Sequence, residues 1–506
     1  MWPRLTLRDL RIIAHYLGVL VAFSSLTYVV PLVTAVVLQE WEPLARYLAA
    51  AGFSLIVGMI LQFMYVQPGR LNRQQALVVT GLAWILLAWI ASFPLFFSGH
   101  YVTYTDALFD GVSGLTTTGA TTLVDLDHLS NTDNMFRFIQ HLIGGLGLIV
   151  VALSLGLFGR GAAGSLYNSE ARSEHVVPNV VHTTRFISRV ALTFIVIATV
   201  VLTVFCLMAG LEPLRALLHG FWLSITGFVT GGFAPTSQSV MYYHSFAMEL
   251  FLILLMLVGS INFVLHDEIW KGRLQSFFQD IETRTMMIWL IAVTVVMALA
   301  MCANGSFNSL GVMLRRGLFM IVSAFTTTGL QNITSNQLTS AFSSGAFLVI
   351  ALIMAVGGSA GGTSGGMKLY RVGIVAKSMV ATIKQTLAPD SARVVVTYYH
   401  VGRRTLTTEV SREALTVFLL FVVTYVLGTL IGVAYGYDAT QAIFESVAMT
   451  SNGGLSSGIV SPGMPFGLEV VYIFQMWAGR LEFVTLLALI VEVFTSLKPH
   501  RKAVGQ

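Results

Sequence analysis

Long apolar runs alternate along this chain with short polar strips, and each strip precedes a glycine break in the next apolar run by a nearly fixed distance. The segments 185–211, 245–266, 285–303, 344–358, 413–436 and 467–496 read as membrane-crossing runs, for which ~20 apolar residues suffice. After a first pair of spans at roughly 12–37 and 45–66, the pattern settles into a period of about 95–125 residues. Each period reads as span, short helix, polar strip, second span. The pattern predicts about ten full spans and four shorter re-entrant helices.

The strips are TTTGA at 116–120, VTGGF at 229–233, TTTGL at 326–330 and SNGGL at 451–455. They align on Gly119, Gly232, Gly329 and Gly454. The breaks start at Gly144, Gly259, Gly357 and Gly479, which lie 25, 27, 28 and 25 residues further on. Four apolar segments lead into the strips: 106–115, 217–228, 313–325 and 439–449. They are too short to span, and the backbone after them survives at membrane depth only where it lines water or is buried in protein. All four units run the same way, and parallel repeats close around a central axis. An internal period of this kind has to be read before anything else, because it sets the fold.

A dehydrated cation needs several oxygens at short range, and rings of backbone carbonyls supply them. Such a strip requires residues that reach φ > 0, which glycine does at no steric cost. The candidate ion-binding positions are Thr117, Thr118 and Gly119; Gly231 and Gly232; Thr327, Thr328 and Gly329; and Asn452, Gly453 and Gly454. The threonine hydroxyls can add ligands or hold the strip in place. Small residues also pack helices together, and one TTTG alone would favour that reading. Four at matched positions favour a filter.

The third break is the most extreme, GGSAGGTSGGMK at 357–368. Each glycine disfavours a helix by ~1 kcal/mol against alanine, so Gly357, Gly358, Ser359, Ala360, Gly361, Gly362, Thr363, Ser364, Gly365 and Gly366 form a loop below the strips, which reads as a gate, with a static kink as the alternative. The same stretch contains a literal G-x-S-x-G at Gly357, Ser359 and Gly361. A hydrolase elbow needs a strand before it, and an apolar span stands there instead, so no enzyme is expected. Arg480 falls near the middle of the last span, where a charge costs at least ~2.5 kcal/mol and should face the interior. Glu482 is on another helix face and is not an assured partner. Acids at Asp106, Asp110, Asp125, Asp127, Asp133, Glu212, Asp438 and Glu445 gather on the strip side. There they either draw cations to a pore mouth or cap the short helices.

Composition narrows the class. The chain of 506 residues is 55% hydrophobic and 10% charged, with mean hydropathy +0.77, far from the ~25% charged residues of soluble proteins. The net charge of +5 reflects orientation rather than a nucleic-acid partner. If the termini and the segments 67–74, 160–190, 271–284, 368–412 and 497–506 share one side, that side holds 23 of the 29 Lys and Arg, which places both termini in the cytoplasm. Arg4, Arg8 and Arg11 run into a span without the pattern of a cleaved signal. Cys206 and Cys302 lie inside apolar runs and read as small hydrophobes. The polar stretch 389–412 alternates around Val401-Gly402-Arg403-Arg404 and predicts a cytoplasmic hairpin. The expected fold is an all-α polytopic membrane protein with four tandem helix–pore-loop–helix repeats around one central pore, preceded by two extra helices. Its parts are 1–69, the repeats 70–165, 166–273, 274–388 and 413–506, and the hairpin 389–412.

Taken together, SGLTTTGATT at 113–122, QHLIGGLGLIV at 140–150, INFVLH at 261–266, TTTGL at 326–330, the 357–368 loop and GRLE at 479–482 resemble the TrkH/TrkG/KtrB superfamily of potassium uptake proteins. The leading pair of spans is similar to the TrkH/TrkG branch. The resemblance implies potassium permeation through a filter at the four aligned glycines, with an intramembrane gate at 357–366 and a pore-facing Arg480. It also implies a homodimer in a bacterial inner membrane and a cytoplasmic ring of TrkA-like, RCK-type subunits that binds NAD or ATP. No dinucleotide fingerprint occurs in this chain, so a nucleotide would sit on that partner, which the hairpin at 393–412 and the Lys368–Lys384 stretch would contact. Gly231 and Gly453 depart from the threonine of the other strips, and SNGGLSSG departs from the Gly-Pro-Gly frequent in the family, which implies modest discrimination against sodium. Gly119, where sodium-favouring plant relatives often have serine, argues for potassium. A coupled symporter using H⁺ or Na⁺ is the alternative, with only His141, His219, His266, Glu249 and Glu482 as scattered relay candidates.

Overall fold

The computed structural model describes residues 5–64, 71–154, 165, 180–303, 310–333, 344–389, 391 and 394–497. The chain opens with α1 (Leu7–Ser24), a 3-10 turn at Ser25–Tyr28 and α2 (Val29–Val37), which together act as one span, and returns through α3 (Trp41–Phe63). Then follow α4 (Arg73–Phe96), the short α5 (Tyr104–Thr116), α6 (Asn131–Leu146) and α7 (Leu148–Ser154). The same order recurs as α8 (Val180–Met208), α9 (Pro213–Phe228), α10 (Phe246–Ser260) and α11 (Phe263–Trp270), with α12 (Leu274–Gln279) after them. It recurs again as α13 (Ile281–Ala303), α14 (Leu310–Phe325), α15 (Ser344–Val356) and α16 (Leu369–Leu387). Strands β1 (Thr397–Tyr399) and β2 (Arg403–Thr405) precede α17 (Thr408–Ala434), α18 (Ala439–Thr450), α19 (Phe466–Arg480) and α20 (Val484–Leu497).

Local chemistry explains the starts. Thr6 with Asp9, Asn72 with Gln75 and Thr103 with Asp106 form capping boxes at α1, α4 and α5, each satisfying two otherwise orphaned amides. Among the described residues six helices are long and apolar enough to cross a membrane, or up to eight if each sharply bent pair is one span. Ten were expected. The difference lies in second helices that are broken or short rather than continuous: α10 and α11 meet at 101°, α19 and α20 at 114°, and α6 and α15 are only 16 and 13 residues long. In the apolar window of α4, 67% of the residues are buried, against 28% in those of α3 and α17. The outer helices therefore show Leu and Val side chains such as Leu427, Leu430, Val196 and Val200 to lipid, which has no reason to exclude them.

The hairpin is present, with Thr397 opposite Thr405, Tyr398 opposite Arg404 and Tyr399 opposite Arg403. Arg403 and Arg404 thus lie on the second strand, and the turn is His400–Gly402, with Val401 in left-handed backbone at φ 57°. Residues 390, 392 and 393 of the expected hairpin lie outside the described residues. Cys206 is buried, as expected of a small hydrophobe.

One pair of charged side chains lies deep inside the bundle. Arg137 and Asp110 are both fully buried, with Nε to Oδ2 at 3.1 Å, and the Arg137 guanidinium sits 3.9 Å from the Phe233 ring centroid. Removing one partner of a buried ion pair leaves an uncompensated charge, which costs ~3–5 kcal/mol. Arg137→Ala should therefore lower the yield of folded protein and its melting temperature in detergent far more than His128→Ala, whose pair with Asp125 is exposed on both sides. A melting temperature unchanged in Arg137→Ala would contradict this.

Candidate functional site

The four short helices end alike. Beyond α5, α9, α14 and α18, the residues Thr117, Thr230, Thr327 and Asn452 hold left-handed backbone at φ 54°, 51°, 52° and 54°. The following amides of Thr118, Gly231, Thr328 and Gly453 reach back to the carbonyls of Ser113, Thr226, Ser323 and Ala448, at 2.9, 2.8, 2.9 and 2.8 Å. This is the C-terminal cap usually built on glycine. A β-branched threonine there is strained by roughly 1–3 kcal/mol, so surrounding structure must hold it. Two residues on, Gly119, Gly232, Gly329 and Gly454 take φ 79°, 93°, 89° and 62°.

These glycines bring the strips against one another. A Cβ on Gly119 would strike the Gly231 carbonyl oxygen, and one on Gly232 would strike that of Thr328. A Cβ on Gly329 would lie 2.8 Å from the Gly453 oxygen, and one on Gly454 would strike that of Thr118. The order of contact is first, second, third, fourth and back to the first, so strips far apart in sequence close on themselves. All eleven sequence-predicted positions are in this assembly, and only Gly119 among them is partly exposed. The hydroxyls of Thr118 and Thr328 pair with those of Thr116 and Thr326 at 2.8 and 2.7 Å, which in turn donate to Val112 and Val322. They brace the strips.

The break glycines answer a different need. A Cβ on Gly144, Gly259 or Gly479 would overlap the carbonyl oxygen of Leu115, Phe228 or Thr450, near the end of the short helix of its own unit. Glycine there lets the second helix touch the strip base. Gly357 differs, because its Cβ would meet Gly365 within its own loop.

That loop is folded against the base of the strips. The amides of Ser359 and Thr363 donate to Ser260 and Gly259, both at 3.2 Å, and Gly361 accepts from Phe263 at 3.3 Å. Gly365 donates to Thr327 Oγ1 at 2.6 Å, and the Thr230 and Thr363 hydroxyls are 3.1 Å apart. Arg480 donates from Nη1 to Thr117 Oγ1 and to the Thr363 carbonyl, both at 3.2 Å, and from Nη2 to Gly144 and to Gly145. Three of the four left-handed caps are thus tied to the loop or to Arg480. The fourth, Asn452, donates to Thr118 Oγ1 at 3.0 Å and to Met476 at 2.9 Å.

Arg480 ends α19 instead of lying mid-helix, and the next turn carries Glu482 and Phe483 at φ 54° and 63°. Glu482 pairs with Arg371. Lys368 is buried and donates to Ser364, so it belongs to the loop and is not part of an outward contact face, whereas Lys377 and Lys384 are exposed. Two residues the sequence reading passed over complete the site. Thr230 sits at the same offset as Thr117 and Thr327, which alignment of the strips could have revealed. Glu282 accepts from Ala360 N at 2.6 Å and from Asn262 Nδ2 at 3.2 Å, and its neighbour Asp280 accepts from His400 Nδ1 and Val401 N, both at 3.1 Å. No local pattern announced that link.

Most outer acids are structural. Asp106 and Asp438 cap helices, Asp110 and Asp133 pair with Arg137 and Arg46, Asp125 pairs with His128, and Glu445 accepts from Ser456 and Ser457. Asp127 and Glu212 line an outer cavity of about 350 Å³. The candidate relay groups each have separate partners: His141 with Gly114 and Phe233, His219 with Tyr243, His266 with Val258, Glu249 with Arg315 and Glu482 with Arg371.

Comparison with known proteins agrees over the whole length. The chain is 31% identical to an uncharacterized cation transporter of Methanocaldococcus jannaschii, covering 97% of each. It is 28% identical to the Trk system potassium uptake protein TrkH of Escherichia coli, covering 96% of this chain and 99% of that one. The crystal structure of the potassium transporter TrkH from Vibrio parahaemolyticus superposes with a TM-score of 0.79 at 25% identity, covering 96% and 99% of the two chains. The family profile of TrkH, described as cation transport protein, matches residues 46–497. This polytopic membrane protein belongs to the TrkH family of cation transport proteins.

Proposed function

We propose that this chain carries potassium inward through a pore whose filter is the ring of four strips. The closed order of contact among Gly119, Gly232, Gly329 and Gly454 carries this reading. Four positive-φ glycines behind four left-handed caps turn consecutive carbonyls out of helical direction, where they replace part of an ion's water shell. The driving force is the membrane potential, ~2.3 kcal/mol per charge per 100 mV. The Escherichia coli potassium uptake protein and the Vibrio parahaemolyticus potassium transporter among the relatives support the choice of ion. The separate partners of His141, His219, His266, Glu249 and Glu482 favour passive flow over proton coupling.

The 357–366 loop acts as the gate, with Arg480 as its latch. Its support on Glu282 connects it, through Asp280, to the hairpin, whose exposed Arg403 and Arg404 fit a docking surface for a cytoplasmic RCK-type ring. Any NAD or ATP binds that ring. The termini face the cytoplasm of a bacterial inner membrane, and the chain works as a homodimer. Glu282→Gln weakens a charge-assisted hydrogen bond on Ala360 and should raise basal flux several-fold without the regulatory subunit, measured as Rb⁺ uptake into proteoliposomes. Flux at the wild-type level would detach Glu282 from gating.

The purified protein in a planar bilayer, across a K⁺ gradient and then with Na⁺ replacing K⁺ on one side, tests the main claim. The reversal potential should follow K⁺ and ignore imposed H⁺ or Na⁺ gradients. A potential that moves with H⁺ or Na⁺ at fixed K⁺ would replace the pore with coupled transport or an unselective pathway.

A further inference from the structure

The second strip has glycine at 231, where the first and third have threonine. The reason is His141. A Cβ on Gly231 would collide with the His141 ring, which is fully buried and stacks on Phe233 with centroids 4.2 Å apart and planes at 21°. His141 Nδ1 lies 2.8 Å from the Gly114 carbonyl, and Nε2 lies 3.1 Å from the Phe233 amide. A carbonyl only accepts and an amide only donates, so the tautomer is determined: Nδ1 carries the hydrogen and Nε2 offers its lone pair.

The Phe233 N–H shares a peptide plane with the Gly232 carbonyl. In a trans peptide these groups point in opposite directions, and no peptide among the described residues is cis. Holding the N–H on His141 therefore aims the Gly232 carbonyl away from α6. The fourth strip solves the same problem within itself, its Leu455 amide turning back to Gly453 at 2.8 Å. We infer that His141 is a positioning residue for ion selection, setting the Gly232 carbonyl through the Phe233 amide and tying the first short helix to the second strip. This rests on the strips being the filter.

The test compares His141→Gln with His141→Met, side chains of similar length of which only glutamine offers a strong acceptor to the Phe233 amide. Gly231→Ala, which keeps His141 but displaces its ring, and Gly232→Ser are measured beside them. The K⁺/Na⁺ permeability ratio in planar bilayers is the readout, with melting in detergent verifying the fold. The Met and Gly231→Ala variants should lose about fivefold to tenfold in the ratio, the effect of one hydrogen bond. The Gln variant should stay within about twofold of wild type. Equal ratios in Gln and Met, whether both retained or both lost, overturn the proposal, because the acceptor would then be irrelevant. If Met does not fold, a wild-type ratio in Gly231→Ala overturns it as well. A Gly232→Ser variant with wild-type selectivity would instead remove the filter reading on which the proposal stands.

Discussion

Gly119→Ser should cut the K⁺/Na⁺ permeability ratio at least about tenfold while folded protein still reaches the membrane. Two effects add. The backbone sits at φ 79°, where a non-glycine residue is strained by roughly 1–3 kcal/mol. The new Cβ also overlaps the Gly231 carbonyl oxygen of the neighbouring strip. Both are relieved by moving a carbonyl, and 1.4 kcal/mol of altered ion binding is already about tenfold. The fold survives because the strips are a small part of a bundle held by long apolar helices. Gly454→Ser should behave like Gly119→Ser, since its Cβ meets the Thr118 oxygen. Gly329→Ser should be milder, because its nearest atoms lie at 2.8 and 3.1 Å and a small shift clears them. Reversal potentials under bi-ionic conditions check the ranking. Wild-type ratios in all three would exclude the ring of strips as the filter.

Arg480→Ala should raise basal flux by about tenfold or more. The guanidinium bridges the Thr117 hydroxyl, the Thr363 carbonyl and the Gly144 and Gly145 carbonyls, so its loss frees the loop from the first unit. It also removes a positive charge from just below the strips. At an effective dielectric constant near 20, a monovalent cation ~7 Å from a guanidinium is repelled by ~2 kcal/mol, which alone is more than tenfold in passage. Lysine should not restore closure, because a point charge cannot reproduce a planar fork of donors. The decisive comparison is Arg480→Lys against Arg480→Ala in single-channel recordings. The lysine variant keeps the electrostatic barrier and should show low conductance with high open probability, whereas alanine should raise both. Flux unchanged in the alanine variant would make Arg480 a structural brace.

The membrane class, the short helices and the strips follow directly from the order of residues, because each depends on local physics. An apolar run must leave water, a Gly-Ser tract cannot stay helical, and a glycine recurring at one offset marks one recurring backbone need. The candidate positions Gly119, Gly232, Gly329 and Gly454 were legible for that reason. The loop at 357–366 was legible too, since its composition alone excludes a helix.

Partners across the bundle were not legible. Arg480 looked like a mid-span charge beside an uncertain Glu482, but it ends a helix and reaches carbonyls more than 330 positions away in the chain, and Glu482 belongs to Arg371. Lys368 looked like part of a docking face and is buried in the loop. Gly231 looked like a missing ligand and is instead the space occupied by the His141 ring. Thr117 and Thr327 read as possible ligands, and the fold bonds Thr327 and the overlooked Thr230 to the loop and Thr117 to Arg480. By itself the sequence determined that the chain enters the membrane by several apolar spans and where the backbone cannot be helical, because hydrophobicity and conformational preference act within a few residues. Only the tertiary structure decided which polar groups satisfy one another, because a buried donor is costly to leave unpaired and its acceptor is whichever group the fold brings beside it.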